Sequence, residues 1–597
     1  AESALADIRV DGLQAIRDHQ AAASSYDGNI VYVLDYGASR YFEDGSAISV
    51  VHQVIELRTR DALGAYGETG IPSGAVLLTA RTIKPDGRVL VPESLQGTSA
   101  ISMPNLEVGD FIEIEWAERT WQPASGFRGV RSPRFFFKIG DGPLHRSVAR
   151  YDRPSSWADG EIFDVRNFDG TRDDTEADGV ASTVFTVRES MPPNPDDGAG
   201  DGAEWLPSVR YSYDYPAEEV ARYYSDRVAS ETVLTPTLEA LAEELTAGLD
   251  EREAVRAIFR YVVDEIDDSG SFFGQPAAWA PVLGIGDRLA LTWTLLEAVG
   301  LEPQLVFVRP LANDATPTEM TDDGPYDLTT IRVELGRGDV VWLEPEFDHY
   351  PFDYLRTDAQ GCEGWIVAGP GAGSRLVTPR WPDSAEVSRI SVEIAVDEAG
   401  DAQVVVTEHV PTTSASGLRS YLEAIDDRTM IERALENAMS ASFPSVSLAS
   451  FEVVGELEPD APLSLAYSFE SRGFADVIGG SVVVDDTILG RPLAARYASW
   501  PSRERELLVG YGVREVVTIT VVGPDGAEAG SLPAPVVLEH GASSYHQRVE
   551  ADGNRVVATR TIDVAPQRVA AEDYAEFAQF LLDMQPSMRL RFVFELP

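Results

Sequence analysis

Residues 286–300 read GDRLALTWTLLEAVG, and this stretch decides how the middle of the chain folds. After Gly286-Asp287 the run is mostly apolar on every side. That pattern predicts a buried helix that starts at the Gly-Asp pair. Upstream, 216–229 (PAEEVARYYSDRVA) and 235–266 (TPTLEALAEELTAGLDEREAVRAIFRYVVDEI) also have helical spacing, with Thr237 as an N-cap before Leu238 and Gly248 as a stop. Downstream, EPQLVFVRP (302–310), DLTTIRVELG (327–336) and DVVWLEPE (339–346) read as strands. Helices followed by an antiparallel sheet predict an α+β domain.

Outward from this block the pattern turns to β on both sides. Residues 28–190 alternate apolar and polar side chains in NIVYVLDYG, SAISVVHQVIEL and DFIEIEWAE. Period-two strands separated by Gly/Asp turns argue for a sandwich. Residues 191–205 are a Pro/Gly/Asp loop without calcium-loop spacing. The Gly/Pro stretch 369–382 predicts a linker. Beyond it lie a hairpin around Glu398, one helix within 427–443, a second within 570–584 and a terminal strand. The expected class is multidomain α+β, divided as 1–27 (a short amphipathic helix over 3–23), 28–212 (β-sandwich-like), 213–385 (α+β) and 386–597 (mainly β). The first segment reads either as the last helix of an upstream region or as a mature N-terminus left by removal of a signal peptide.

The formal charge of −50 repels nucleic acid and anionic lipid. Of 48 basic residues only Lys84 and Lys138 are lysines, a bias that fits a GC-rich genome. No apolar run reaches the ~20 residues of a membrane span, so direct insertion is not expected. One cysteine, Cys362, makes no intrachain disulfide, and seven scattered histidines offer no zinc spacing. No phosphate loop, dinucleotide fingerprint or serine nucleophile elbow is present, so no metal or cofactor is expected.

The order of the middle block resembles the bacterial transglutaminase-like (papain-like) superfamily. There the buried helix opens Gly-Asp-Cys, a histidine follows on one strand, and an aspartate stands in a Trp-Leu-Asp-Pro setting on the next. Gly286-Asp287 matches the first motif and puts Arg288 at the nucleophile position. Tyr326-Asp327 matches the pair before the histidine and puts Leu328 in its place. Trp342-Leu343-Glu344-Pro345 matches the last, with Glu344 for aspartate. An arginine stays protonated, and a leucine moves no proton. The flanks add to the resemblance: the first β region is similar to domain of unknown function family 3857, and the last to the C-terminal β domain of the same three-domain architecture.

The resemblance implies an exported, periplasmic setting and a pseudoenzyme that binds a protein or peptide partner of the cell envelope. The cleft would be built from Asp287, Arg288, Asp327 and Glu344, with Arg288 paired to Glu344. The alternative is an active amide hydrolase or acyl transferase using a rearranged Cys362–His349 pair.

Overall fold

The computed structural model describes residues 2–22, 24–92, 100–120, 129–193, 198–381, 387–425, 427–455, 458–510 and 512–597. Parts of the 191–205 loop and of the 369–382 stretch therefore lie outside the described residues. The chain is multidomain α+β, and its contacts divide it into two compact units. One comprises 1–195, 201–223 and 314–322; the other comprises 196–200, 224–313 and 323–597.

The first unit is built on an eight-stranded sheet. Its order is Thr171–Ala177, Val180–Ser190, Leu144–Pro154, Ile30–Tyr41, Ala47–Leu57, Phe111–Thr120, Val76–Ile83 and Val89–Leu90. A smaller sheet of Glu161–Arg166, Ser208–Tyr213 and Val130–Arg131 faces it. Tyr41, Tyr151 and Phe185 of the large sheet share a core with Val209 and Tyr211 of the small one. This alternation of inward apolar residues over two layers is the sandwich-like arrangement that the period-two pattern predicts.

The amphipathic stretch 3–23 is two helices, Glu2–Asp7 and Gly12–Ala21, not one. Asp11 breaks it by capping the second: its side chain accepts from the Leu13 amide. Arg9 then bonds Glu115 through both Nε (2.7 Å) and Nη2 (2.5 Å), fastening the segment to the sheet.

In the second unit, helices Pro236–Thr246, Glu251–Glu265 and Arg288–Ala298 pack on one another. The cap of Pro236–Thr246 is Thr235, not Thr237, because Pro236 occupies the first helical turn and Thr235 accepts from the Leu238 amide. A five-stranded antiparallel sheet runs Val340–Leu343, Leu328–Glu334, Pro303–Arg309, Glu363–Ala368, Arg375–Val377. Its last strand lies inside the expected linker: the glycine turn at 369–373 returns the chain to pair Arg375 with Trp365.

The same unit holds an eight-stranded sheet centred on the parallel pair Ser388–Val396 and Val513–Val522. A four-stranded sheet containing Ser481–Asp486 and Leu590–Glu595 packs on it, and Val392, Ile519, Val484 and Phe592 fill the space between. Two helices, Thr412–Ala424 and Arg428–Met439, stand where one was expected. The first is rich in Ser, Thr and Gly, which mask its helical period.

Candidate functional site

The site grows from the start of helix Arg288–Ala298. Gly286 is needed there because a Cβ on it would lie 2.5 Å from the Ala280 Cβ and 2.9 Å from its Cα. Asp287 caps the helix. Its Oδ1 accepts from the Ala290 amide at 3.0 Å and its Oδ2 from the Gly274 amide at 3.0 Å. The remaining turns carry Leu289, Leu291, Trp293, Leu295 and Leu296, all buried. Each such side chain contributes ~1.5–3 kcal/mol by leaving water. The cap position is therefore rigidly placed.

Arg288, in the first turn, is only 3 % exposed. A cation here opposes its own helix dipole. The side chain instead turns back to the end of helix Glu251–Glu265. Nε donates to the Ile266 carbonyl at 2.6 Å and Nη2 to the Val263 carbonyl at 3.1 Å. Those carbonyls are the negative end of a helix, where a cation is favoured. Nη1 donates to the Pro345 carbonyl at 3.3 Å and forms an ion pair with Asp348 at 2.8 Å. The guanidinium is thus a bracket between a helix end and the loop after strand Val340–Leu343.

The expected Arg288–Glu344 ion pair is not formed; Asp348 takes that role. The physical reason is the direction of the arginine, which the helix end at 263–266 draws away. Glu344 is 2 % exposed. Its Oε1 accepts from the Arg356 amide at 3.3 Å, and its Oε2 is buried with no partner among the described residues. Burial pushes its carboxyl up to about 8.

Two carboxylates that sequence reasoning did not single out stand close by. Burial, reinforced by Asp268 and Asp287, pushes Glu346 up to about 7. Asp287 itself is pushed up to about 6 by burial, with Asp268 adding to the effect. Asp268 arrives because Asp267–Asp268 pairs in parallel with Ile285–Gly286, setting Asp268 opposite Gly286. Nothing in local sequence signals that two-residue pairing. The spacing of Glu344 and Glu346, two apart beyond a strand end, was a visible signal. The arrangement can take up and release protons near neutrality, and it attracts cationic groups. Among the described residues no group of three or more His, Cys, Asp or Glu is placed to hold a metal ion.

Leu328 opens its strand opposite Val308. It packs with Trp342, Leu355 and Cys362 in a small apolar cluster. Asp327 is exposed. The Cys362 thiol donates to the Asp358 carbonyl at 3.3 Å, and burial raises its pKa. The His349 ring bonds Glu423 through Nε2 at 2.8 Å. Cys362 and His349 thus have separate partners, and no hydrogen bond joins them among the described residues.

Residues 485–594 match the family described as a domain of unknown function with a solved structure, DUF3858. The chain matches no curated protein by sequence. Its fold is similar to the solved structure of a putative protease from Parabacteroides distasonis. The likeness has a TM-score of 0.63 at 13 % identity and covers 95 % of this chain and 99 % of the other. At that identity the similarity concerns the fold, and it spans both units.

Proposed function

We propose that the second unit contains a transglutaminase-like domain that has given up cysteine chemistry, and that the chain serves as a protein- or peptide-binding module of the bacterial envelope. The observation that carries this reading is Arg288. The residue at the nucleophile position is a buried guanidinium committed to Ile266, Val263, Pro345 and Asp348. A cysteine nucleophile needs the opposite setting: a free helix N-terminus that lowers its pKa and a neighbouring base. Leu328 supplies no base, and Glu344 without one orients nothing.

Binding is the activity that survives this loss. The carboxyl groups of Asp268, Asp287 and Glu346 gather at one helix start, and Trp279, Val282, Leu283 and Ile285 on the segment leading into it are exposed. Carboxylates beside exposed apolar side chains suit a peptide segment carrying basic residues. No helix among the described residues is long and apolar enough to cross a membrane.

The test is binding of the purified chain to an array of short peptides graded in charge. The expected result is retention of basic, apolar-flanked peptides, lost in Glu346→Lys. Uniform binding regardless of peptide charge would count against the reading.

A further inference from the structure

A cavity lies in the same unit, bordering the Arg288 site at Arg356. Its volume is about 490 Å³, within the ~300–1,000 Å³ usual for small-ligand pockets. Arg356, Cys362, Arg380, Trp381, Ser414 and Arg514 are among its lining residues. Three guanidinium groups around one cavity are unusual in a chain of formal charge −50 with twice as many acidic as basic residues.

Two of the three are already matched by carboxylates. Arg356 grips Asp358 through Nε (2.6 Å) and Nη2 (2.7 Å), and Arg514 bonds Asp563 at 3.3 Å. Arg380 differs: it is exposed at the cavity mouth, and its guanidinium has no hydrogen-bond or ion-pair partner among the described residues. Gly361 has a φ of +66°, and a Cβ there would lie 2.8 Å from the Arg380 Cζ, so the guanidinium lies flat against bare backbone. The two segments carrying them are laced together. The Cys362 amide donates to Thr378 Oγ1 at 2.9 Å, the Thr378 amide to the Cys362 carbonyl at 2.9 Å, and the Trp381 amide to Gln360 Oε1 at 3.0 Å. Trp381 meets Tyr354 edge-on at 5.7 Å, which fixes an aromatic wall beside the cation.

We propose that this cavity binds a small organic oxyanion, a carboxylate or a phosphate, whose charged end meets Arg380 and whose apolar body lies against Trp381. A guanidinium fork matches both oxyanions, since each presents two oxygens at its spacing. Arg356 joins the cavity to Glu344 through its amide, but the anion site does not use Asp268, Asp287 or Glu346 and stands whether or not those carboxylates bind peptides.

The test is calorimetric titration of the full chain with benzoate, its neutral isostere benzamide, and inorganic phosphate. Benzoate or phosphate is expected to bind and benzamide not to. Arg380→Gln should weaken the anion roughly tenfold or more, since a charge-assisted fork is lost. Arg17→Gln, with the same change in net charge at an exposed helix position, should leave binding unchanged. Binding of benzoate alone assigns carboxylates, and binding of phosphate alone assigns phosphates. The bound anion should also slow iodoacetamide labelling of Cys362, the chain's one cysteine. No anion binding, or equal binding by Arg380→Gln and the unaltered chain, overturns the proposal.

Discussion

Arg288 Nε donates to the Ile266 carbonyl oxygen at 2.6 Å, so the side chain at the start of one helix closes the end of another. The same guanidinium reaches the Pro345 carbonyl and the Asp348 carboxylate. Removing it leaves buried carbonyls without donors. Arg288→Ala is expected to cost about 3 kcal/mol of stability. Arg288→Lys keeps the charge but loses the fork, and should cost roughly half as much. Asp348→Asn should cost under about 1 kcal/mol, because that carboxylate is 64 % exposed. Urea denaturation of the three variants checks the order. Equal effects of Arg288→Ala and Asp348→Asn would mean that the ion pair, not the carbonyl bracket, is what matters.

Asp287 serves the helix as a cap and also ties down Gly274. Asp287→Ala should lose about 2 kcal/mol, at the upper end for caps because one bond is buried and the other partly so. Asp287→Asn keeps one acceptor and sheds a buried charge, so it should lose clearly less. Thermal unfolding of the pair at pH 7 separates them; equal losses would contradict the capping role.

Glu344 should make stability fall as pH rises. Its folded-state carboxyl sits at about 8, above its ordinary value of 4.5. Between those values the folded chain holds more protons than the unfolded one, so the contribution is full below about 4.5 and is lost as pH climbs through 8. Glu346 at about 7 and Asp287 at about 6 act in the same direction. Glu344→Gln removes the largest of these and should therefore gain stability relative to the unaltered chain between pH 5 and pH 9. Denaturation midpoints across that range test it. A difference that does not change with pH would show that Glu344 ionises freely.

Gly12 lies against the buried pair His52–Glu113. A Cβ there would sit 2.7 Å from the Glu113 Cδ and 2.9 Å from the His52 Nε2. Gly12→Ala should loosen the N-terminal helix and cost about 2 kcal/mol, despite alanine's better helix propensity. Amide exchange within Gly12–Ala21 should speed up. Unchanged protection would mean that the pair moves aside without cost.

Much of the fold was legible because period and punctuation agree with it. The period-two runs became strands, and the mostly apolar run after Asp287 became a buried helix. Gly286 and Asp287 could be read from sequence because each has a local reason: a close approach to Ala280, and a cap. What escaped were effects of pairing across the chain. The two-residue pairing that brings Asp268 beside Gly286 leaves no local pattern, and neither does the edge strand Arg375–Val377 hidden within a glycine-rich stretch. The partner of Arg288 was misread for the same reason. Motif order put Glu344 nearest, whereas the negative helix end at 263–266 sets the direction of the side chain.

The proposed loss of cysteine chemistry requires that no thiol of this chain turns over an amide. The most direct measurement is turnover of an amide substrate by the purified chain, at neutral pH, before and after iodoacetamide and in Cys362→Ser. The expected result is no hydrolysis or acyl transfer above buffer in any sample, with peptide binding retained throughout. Turnover in the unaltered chain that disappears on alkylation or in Cys362→Ser would contradict it.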